Sequence, residues 1–184
     1  MVPNHRTKSA VNSDYLVSTQ TWVVSIVNIP SPENVVKQIC GHSVIVVEGL
    51  QTNIDSLYVE PFIGQYDILA TASEDSVSLN MFGEIEQVRV FESQKAERNY
   101  SQYHSVSFYA NPKLVKQMIA AVKKDKYDVE EQGHKIPFEL VKWTQNNETY
   151  NCTSWCYEKL NIIGVNFVGK PKPIKPIFLS CSIT

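Results

Sequence analysis

Residues 41–48, Gly-His-Ser-Val-Ile-Val-Val-Glu, form the stretch on which the reading of the fold turns. A glycine and a histidine lead into a near-continuous apolar, β-branched run, the pattern of a strand covered on both faces. Upstream, Thr21 to Pro30 is again β-branched and stops at a proline, which predicts a second strand. Between them, Ser31 to Ile39 predicts a short helix, with Ser31 as N-cap and Pro32 at the first helical position. Downstream, Gly49 to Ser56 reads as a turn and Leu57 to Ile63 as the returning strand. Further strands are expected near Ser76–Phe82, Glu86–Phe91 and Ser105–Tyr109.

Two helices follow. Asn111 can cap a helix from Pro112 to about Lys124, where Leu114, Val115, Met118, Ile119 and Val122 repeat at i, i+3, i+4 and share one apolar face. The charged stretch from Asp125 to Gly133 reads as a loop, Pro137 to Trp143 as a strand and Thr144 to Thr149 as a turn. The second helix begins at Cys152 and runs to Ile163, with Gly164 as its stop. The expected organisation is a polar arm over 1–20, then one α+β domain over 21–184 ending in an extended Lys/Pro-rich tail from Lys170 to Pro176.

Composition narrows the function. The chain has 184 residues, is 43% hydrophobic and 20% charged, and carries a formal net charge of -2, so a strongly basic nucleic-acid binder is not expected. The groups Lys123, Lys124, Lys126 and Lys170, Lys172, Lys175 read as solvated faces. No run is apolar enough for a signal peptide or a membrane span, which leads us to expect a soluble protein, cytoplasmic or delivered into a host cell. Asn99, Asn147 and Asn151 match the glycosylation sequon and read as chance in that setting. There is no Gly-rich phosphate loop, and we expect no cofactor. Four cysteines are too few for a disulfide scaffold. Cys152 and Cys156 have ligand-like spacing but lack a second close Cys/His pair, so no zinc or other metal site is expected.

The segment Tyr150-Asn-Cys-Thr-Ser-Trp-Cys-Tyr-Glu-Lys-Leu160 carries the chemistry. It sets Cys152 at a helix N-terminus, where free N–H groups and the helix dipole favour thiolate and can hold an oxyanion. Cys156, one turn further and in line with Leu160 and Ile163, reads as a buried apolar residue. An inert core cysteine is the plain alternative for Cys152. A nucleophilic cysteine needs an imidazole. Of four histidines, His5 falls in the arm and His134 in the charged loop, leaving His42 ahead of His104.

Gly41–Glu48 early and Tyr150-Asn-Cys152-Thr-Ser-Trp155 late resemble the permuted branch of the papain-like thiol hydrolases, which includes the permuted NlpC-type enzymes and relatives of lecithin:retinol acyltransferase. The resemblance covers roughly residues 40–165; the style of the sequence is also similar to that of secreted bacterial effectors. It implies a papain-like fold, an antiparallel sheet or small barrel packed against the cysteine-bearing helix, in permuted order. It also implies His42 as base, Cys152 as nucleophile and a third polar group that orients the ring. Glu48 shares a face with His42 but lies about 20 Å along a straight strand, too far to touch it. A returning strand brings Ile63 to Asp67 opposite His42, so Asp67 and Gln65 are the candidates, with Glu60 in another register.

The expected function is attack on an amide or ester carbonyl through a Cys152 thioester, with hydrolysis or acyl transfer open and a protein or peptide as the expected substrate (a lipid or other ester also fits). The competing reading is an interaction module on the same fold with no working dyad. A third reading puts His104 in the base role. Trp143, Tyr150, Trp155 and Tyr157 read as core before cleft.

Overall fold

The computed structural model describes residues 22–30, 41–52, 59–72, 82–139 and 149–165. Its elements are β1 (Trp22–Ile29), β2 (His42–Thr52), β3 (Val59–Ala72), β4 (Phe82–Ser93), β5 (His104–Ala110), α1 (Pro112–Glu130), β6 (Ile136–Glu139) and α2 (Cys152–Ile162). The class is α+β, as expected. The strands make one six-stranded sheet in the order β5-β1-β2-β3-β4-β6, with every neighbour antiparallel.

Alternation decides which side chains meet the helices. Val24, Ile26, Ile45, Val47, Tyr66, Ile68 and Val88 point to one face and are buried with Val115, Met118 and Val122 of α1 and Trp155, Cys156 and Leu160 of α2. α1 lies over β4, and α2 over β2 and β3. Burying a side chain such as Ile45 or Leu160 contributes about 1.5–3 kcal/mol each.

β3 is longer than the strand expected from Leu57 to Ile63, because the alternation of Tyr66 and Ile68 with Gln65 and Asp67 carries the ladder on to Ala72. β4 likewise extends beyond Glu86–Phe91 in both directions. The strand expected over Pro137–Trp143 is described only as β6, Ile136–Glu139. The strand expected near Ser76–Phe82 lies outside the described residues except for Phe82, which opens β4. The arm over 1–20, the helix over 31–39 and the Lys/Pro tail lie outside them altogether.

Two expectations are corrected. Gly49 to Thr52 is strand, not turn: it continues β2 and pairs with Val59 to Phe62 of β3. Asp125 to Glu130 is helix, not loop. Lys124 pairs with Asp128 and Lys126 with Glu130 at i, i+4, which supports a charged helical turn, and Val129 is buried beneath it. Asp125 then serves α2: it accepts from Trp155 Nε1 at 2.8 Å and pairs with the buried Lys159 at 2.7 Å. Lys159 also pairs with Glu158 at 2.9 Å. A buried ammonium left without such partners is strongly destabilising, so this cluster fixes how α2 sits against α1.

Candidate functional site

The first turn of α2 is built by a capping box. Asn151 Oδ1 accepts from Ser154 N at 2.8 Å, while Ser154 Oγ accepts from Asn151 N at 2.9 Å. Asn-x-x-Ser was present in the sequence, and its value is to fix Cys152 as the first helical residue with its own N–H left free of the helix ladder. The turn is then pinned to the sheet. Ser43 Oγ donates to Asn28 Oδ1 at 3.0 Å and lies 2.8 Å from Thr153 Oγ1. A serine hydroxyl has one proton, so Thr153 is the donor in the second bond. The residue after His42 is thereby tied to the residue after Cys152.

His42 opens β2 on the face opposite Ser43. The β2–β3 register pairs Ile45 with Tyr66; one more step sets Asp67 beside Val44, on the same face as His42. His42 Nε2 lies 2.6 Å from Asp67 Oδ2. Across the next pairing, Asp67 faces Arg89, whose Nε donates to Asp67 Oδ1 at 2.7 Å and whose second guanidinium nitrogen bonds Oδ2. Asp67 is 4% exposed, so a carboxylate is held in the sheet between two cations. Burial works against its charge, but the bonds from His42 and Arg89 outweigh that and lower its pKa.

Burial also works against a charged His42, and it is again outweighed: hydrogen bonding and charge from Asp67 and Cys152 push the ring up from 6.5 to about 9. With Nε2 committed to Asp67, Nδ1 is the nitrogen left for the sulfur. In the resting arrangement the thiol donates to Gly41 O over a long 3.8 Å, so the sulfur sits beside both the ring and the carbonyl just before it. Gly41 cannot be larger: a Cβ there would stand 2.4 Å from the Ile29 carbonyl oxygen. Cys152 itself is 5% exposed. Cys156 is fully buried, and desolvation raises its pKa well above the usual thiol value.

The structure thus brings Cys152, His42 and Asp67 together. Gln65 does not join them. It shares Asp67's face but is used by the backbone of Arg98, donating to its carbonyl at 2.7 Å and accepting from its N–H at 3.1 Å. Glu48 is exposed opposite Ile63, and Glu60 lies opposite Gln51, bonded to Gln94. His104 is exposed on β5 opposite Asn28, separated from β2 by β1. His134 is exposed beyond α1, and His5 and Trp143 are outside the described residues. Trp155 is core, and Tyr150 and Tyr157 pack against it in part.

Arg89, Asn28, Ser43 and Thr153 were not singled out from the sequence. Arg89 carried one signal, a charge between Val88 and Val90 in a predicted strand, which marks a polar position on the face away from the helices. No group of three or more His, Cys, Asp or Glu among the described residues is arranged to hold a metal ion. No helix among them is long and apolar enough to cross a membrane. No family model, no curated protein and no solved structure matches this chain.

Proposed function

We propose that this protein is a cysteine-dependent hydrolase or acyl transferase in which Cys152 attacks an amide or ester carbonyl. The observation that carries the reading is a single ring: His42 is bonded to a buried carboxylate and interacts with the sulfur of a cysteine at a capped helix N-terminus. That is the nucleophile–base–orienting group arrangement of nucleophilic catalysis.

In this mechanism Asp67 holds the ring's orientation and stabilises its charge, and Arg89 holds Asp67. His42 takes the thiol proton of Cys152, or holds it in an ion pair. The sulfur adds to the carbonyl carbon and the carbonyl electron pair moves to oxygen, where the Cys152 N–H at the helix mouth receives it. Collapse breaks the bond to the amine or alkoxide, which takes the proton from His42, and leaves a thioester. Water or a second nucleophile, deprotonated by His42, releases the acyl group. The order of the residues, histidine on a strand and cysteine opening a late helix on an antiparallel sheet, supports a permuted papain-like arrangement. A protein or peptide substrate is part of the same proposal, as is the cytoplasmic or host-delivered location of a bacterial effector.

Thiol alkylation with peptide mapping tests it. At pH 6.5 iodoacetamide is expected to label Cys152 first, and His42→Ala to slow that labelling at least about tenfold, the low side of what a positioned acid–base group supplies. Labelling of Cys152 that ignores His42 would leave an interaction module on this fold as the better account.

A further inference from the structure

Among the described residues two buried side-chain donors have no hydrogen-bond partner, Trp22 Nε1 and Asn28 Nδ2, and the second is joined through Ser43 to Thr153, next to Cys152. Asn28 is 3% exposed, its Oδ1 accepts from Ser43, and its Nδ2 has no hydrogen-bond partner. A buried donor left unmet costs roughly 1–3 kcal/mol, and such groups in native structures call for a reason. The amide lies at the end of β1, where residues 28–29, 41–43 and 152–153 meet. Ser43 links Asn28 to Thr153, Gly41 is pressed against Ile29, and the Cys152 thiol lies on Gly41 O. The corner therefore holds a nucleophile, the free N–H of a first helical residue and a second, unused N–H donor. A carbonyl that reaches the sulfur, itself only 5% exposed, enters the same corner.

We infer that Asn28 is a catalytic residue, its Nδ2 donating to the oxyanion that forms when Cys152 attacks a carbonyl, alongside the Cys152 N–H. This rests on the proposed nucleophilic role of Cys152. The geometry suits a carbonyl substrate, whose oxygen gains charge as the sulfur adds. It offers nothing to a displacement at an sp³ carbon, where no oxyanion forms.

That contrast supplies the experiment. The full chain is treated with two probes, each followed at Cys152 by peptide mapping. With p-nitrophenyl acetate the sulfur adds to the carbonyl carbon, the bond to the aryl oxygen breaks, nitrophenolate leaves and an acetyl thioester remains. With iodoacetamide the sulfur displaces iodide directly. Both rates depend on the same thiolate, so their ratio isolates the oxyanion. In Asn28→Leu and in Asn28→Asp, neither of which can donate, the acylation-to-alkylation ratio is expected to fall about 100-fold, the usual loss for one oxyanion donor. Cys156→Ala, which disturbs the core beneath α2 but keeps the Asn28 amide, is expected to hold the wild-type ratio. If both rates fall in proportion in the folded Asn28 variants, or neither falls, Asn28 is a structural residue and the inference is overturned. If wild-type Cys152 is itself no faster than a free thiol with iodoacetamide, the nucleophile is lost and this inference with it.

Discussion

Replacing Asp67 with asparagine is the sharpest perturbation of the site, because it keeps the shape of the side chain and removes the charge between His42 and Arg89. In the wild type, His42 is raised from 6.5 to about 9 although burial alone would lower it. At 1.36 kcal/mol per pH unit, that displacement corresponds to about 3 kcal/mol favouring the folded, protonated ring. The ring is 30% exposed, and solvent screening reduces the figure to roughly 1–2 kcal/mol. The sign follows from linkage: a group whose pKa is higher when folded contributes fully below pH 6.5, progressively less up to about 9, and nothing above. Asp67 is the same contact seen from its partner. Its lowered pKa adds stability above the usual carboxylate range, lost as pH falls through its folded value, so the two are not added. The stability gap between wild type and Asp67→Asn is therefore expected to be larger by about 1–2 kcal/mol at pH 6 than at pH 9.5. The cost of stranding Arg89 is common to both pH values. Urea unfolding at the two pH values measures the gap, and an NMR titration of labelled imidazole places His42. In Asp67→Asn the ring is expected to titrate well below 9, with burial lowering it and only Cys152 left to raise it. A His42 that still titrates near 9, or an equal gap at both pH values, would refute the reasoning.

Three further outcomes follow from the packing. Cys156→Ala should leave iodoacetamide labelling of Cys152 intact while lowering unfolding free energy by about 1–2 kcal/mol in urea, since the lost sulfur is fully buried. Gly41→Ala should cost about 1–3 kcal/mol and also slow Cys152 labelling, because the backbone carbonyl of Ile29 stands 2.4 Å from the new Cβ and relief would shift His42 relative to the sulfur. Asn151→Ala should cost about 1 kcal/mol by removing the helix cap, seen as a lower urea midpoint with an unchanged slope.

Much of the scaffold was legible from local pattern. The β-branched runs read over Thr21–Pro30 and His42–Glu48 hold β1 and most of β2, and the apolar repeat from Leu114 to Val122 is the buried face of α1, because periodicity reports which side of an element meets the core. The charged segment from Asp125 to Glu130 misled because its helicity is secured outside itself, by Val129 beneath it and by Lys159 and Trp155 across from Asp125.

The candidate site divides along the same line. Cys152 at a helix mouth, and a histidine opening a strand after a glycine, were visible because each rests on its immediate neighbours. Asp67 and Gln65 were indistinguishable, since both point to one face of β3 two residues apart. Register separated them: it put Asp67 beside Val44, on the face and within reach of His42, and opposite Arg89, while Gln65 met the backbone of Arg98. Asn28, Ser43 and Thr153 carry no local signature at all. By itself the sequence determined most of the described strands and helices and which residues could react; the tertiary structure alone decided how far β2, β3, β4 and α1 run and which residues touch. Secondary structure is written in nearest-neighbour periodicity, whereas a hydrogen bond between residues 42 and 67, or 43 and 153, exists only once separate elements have been set in register.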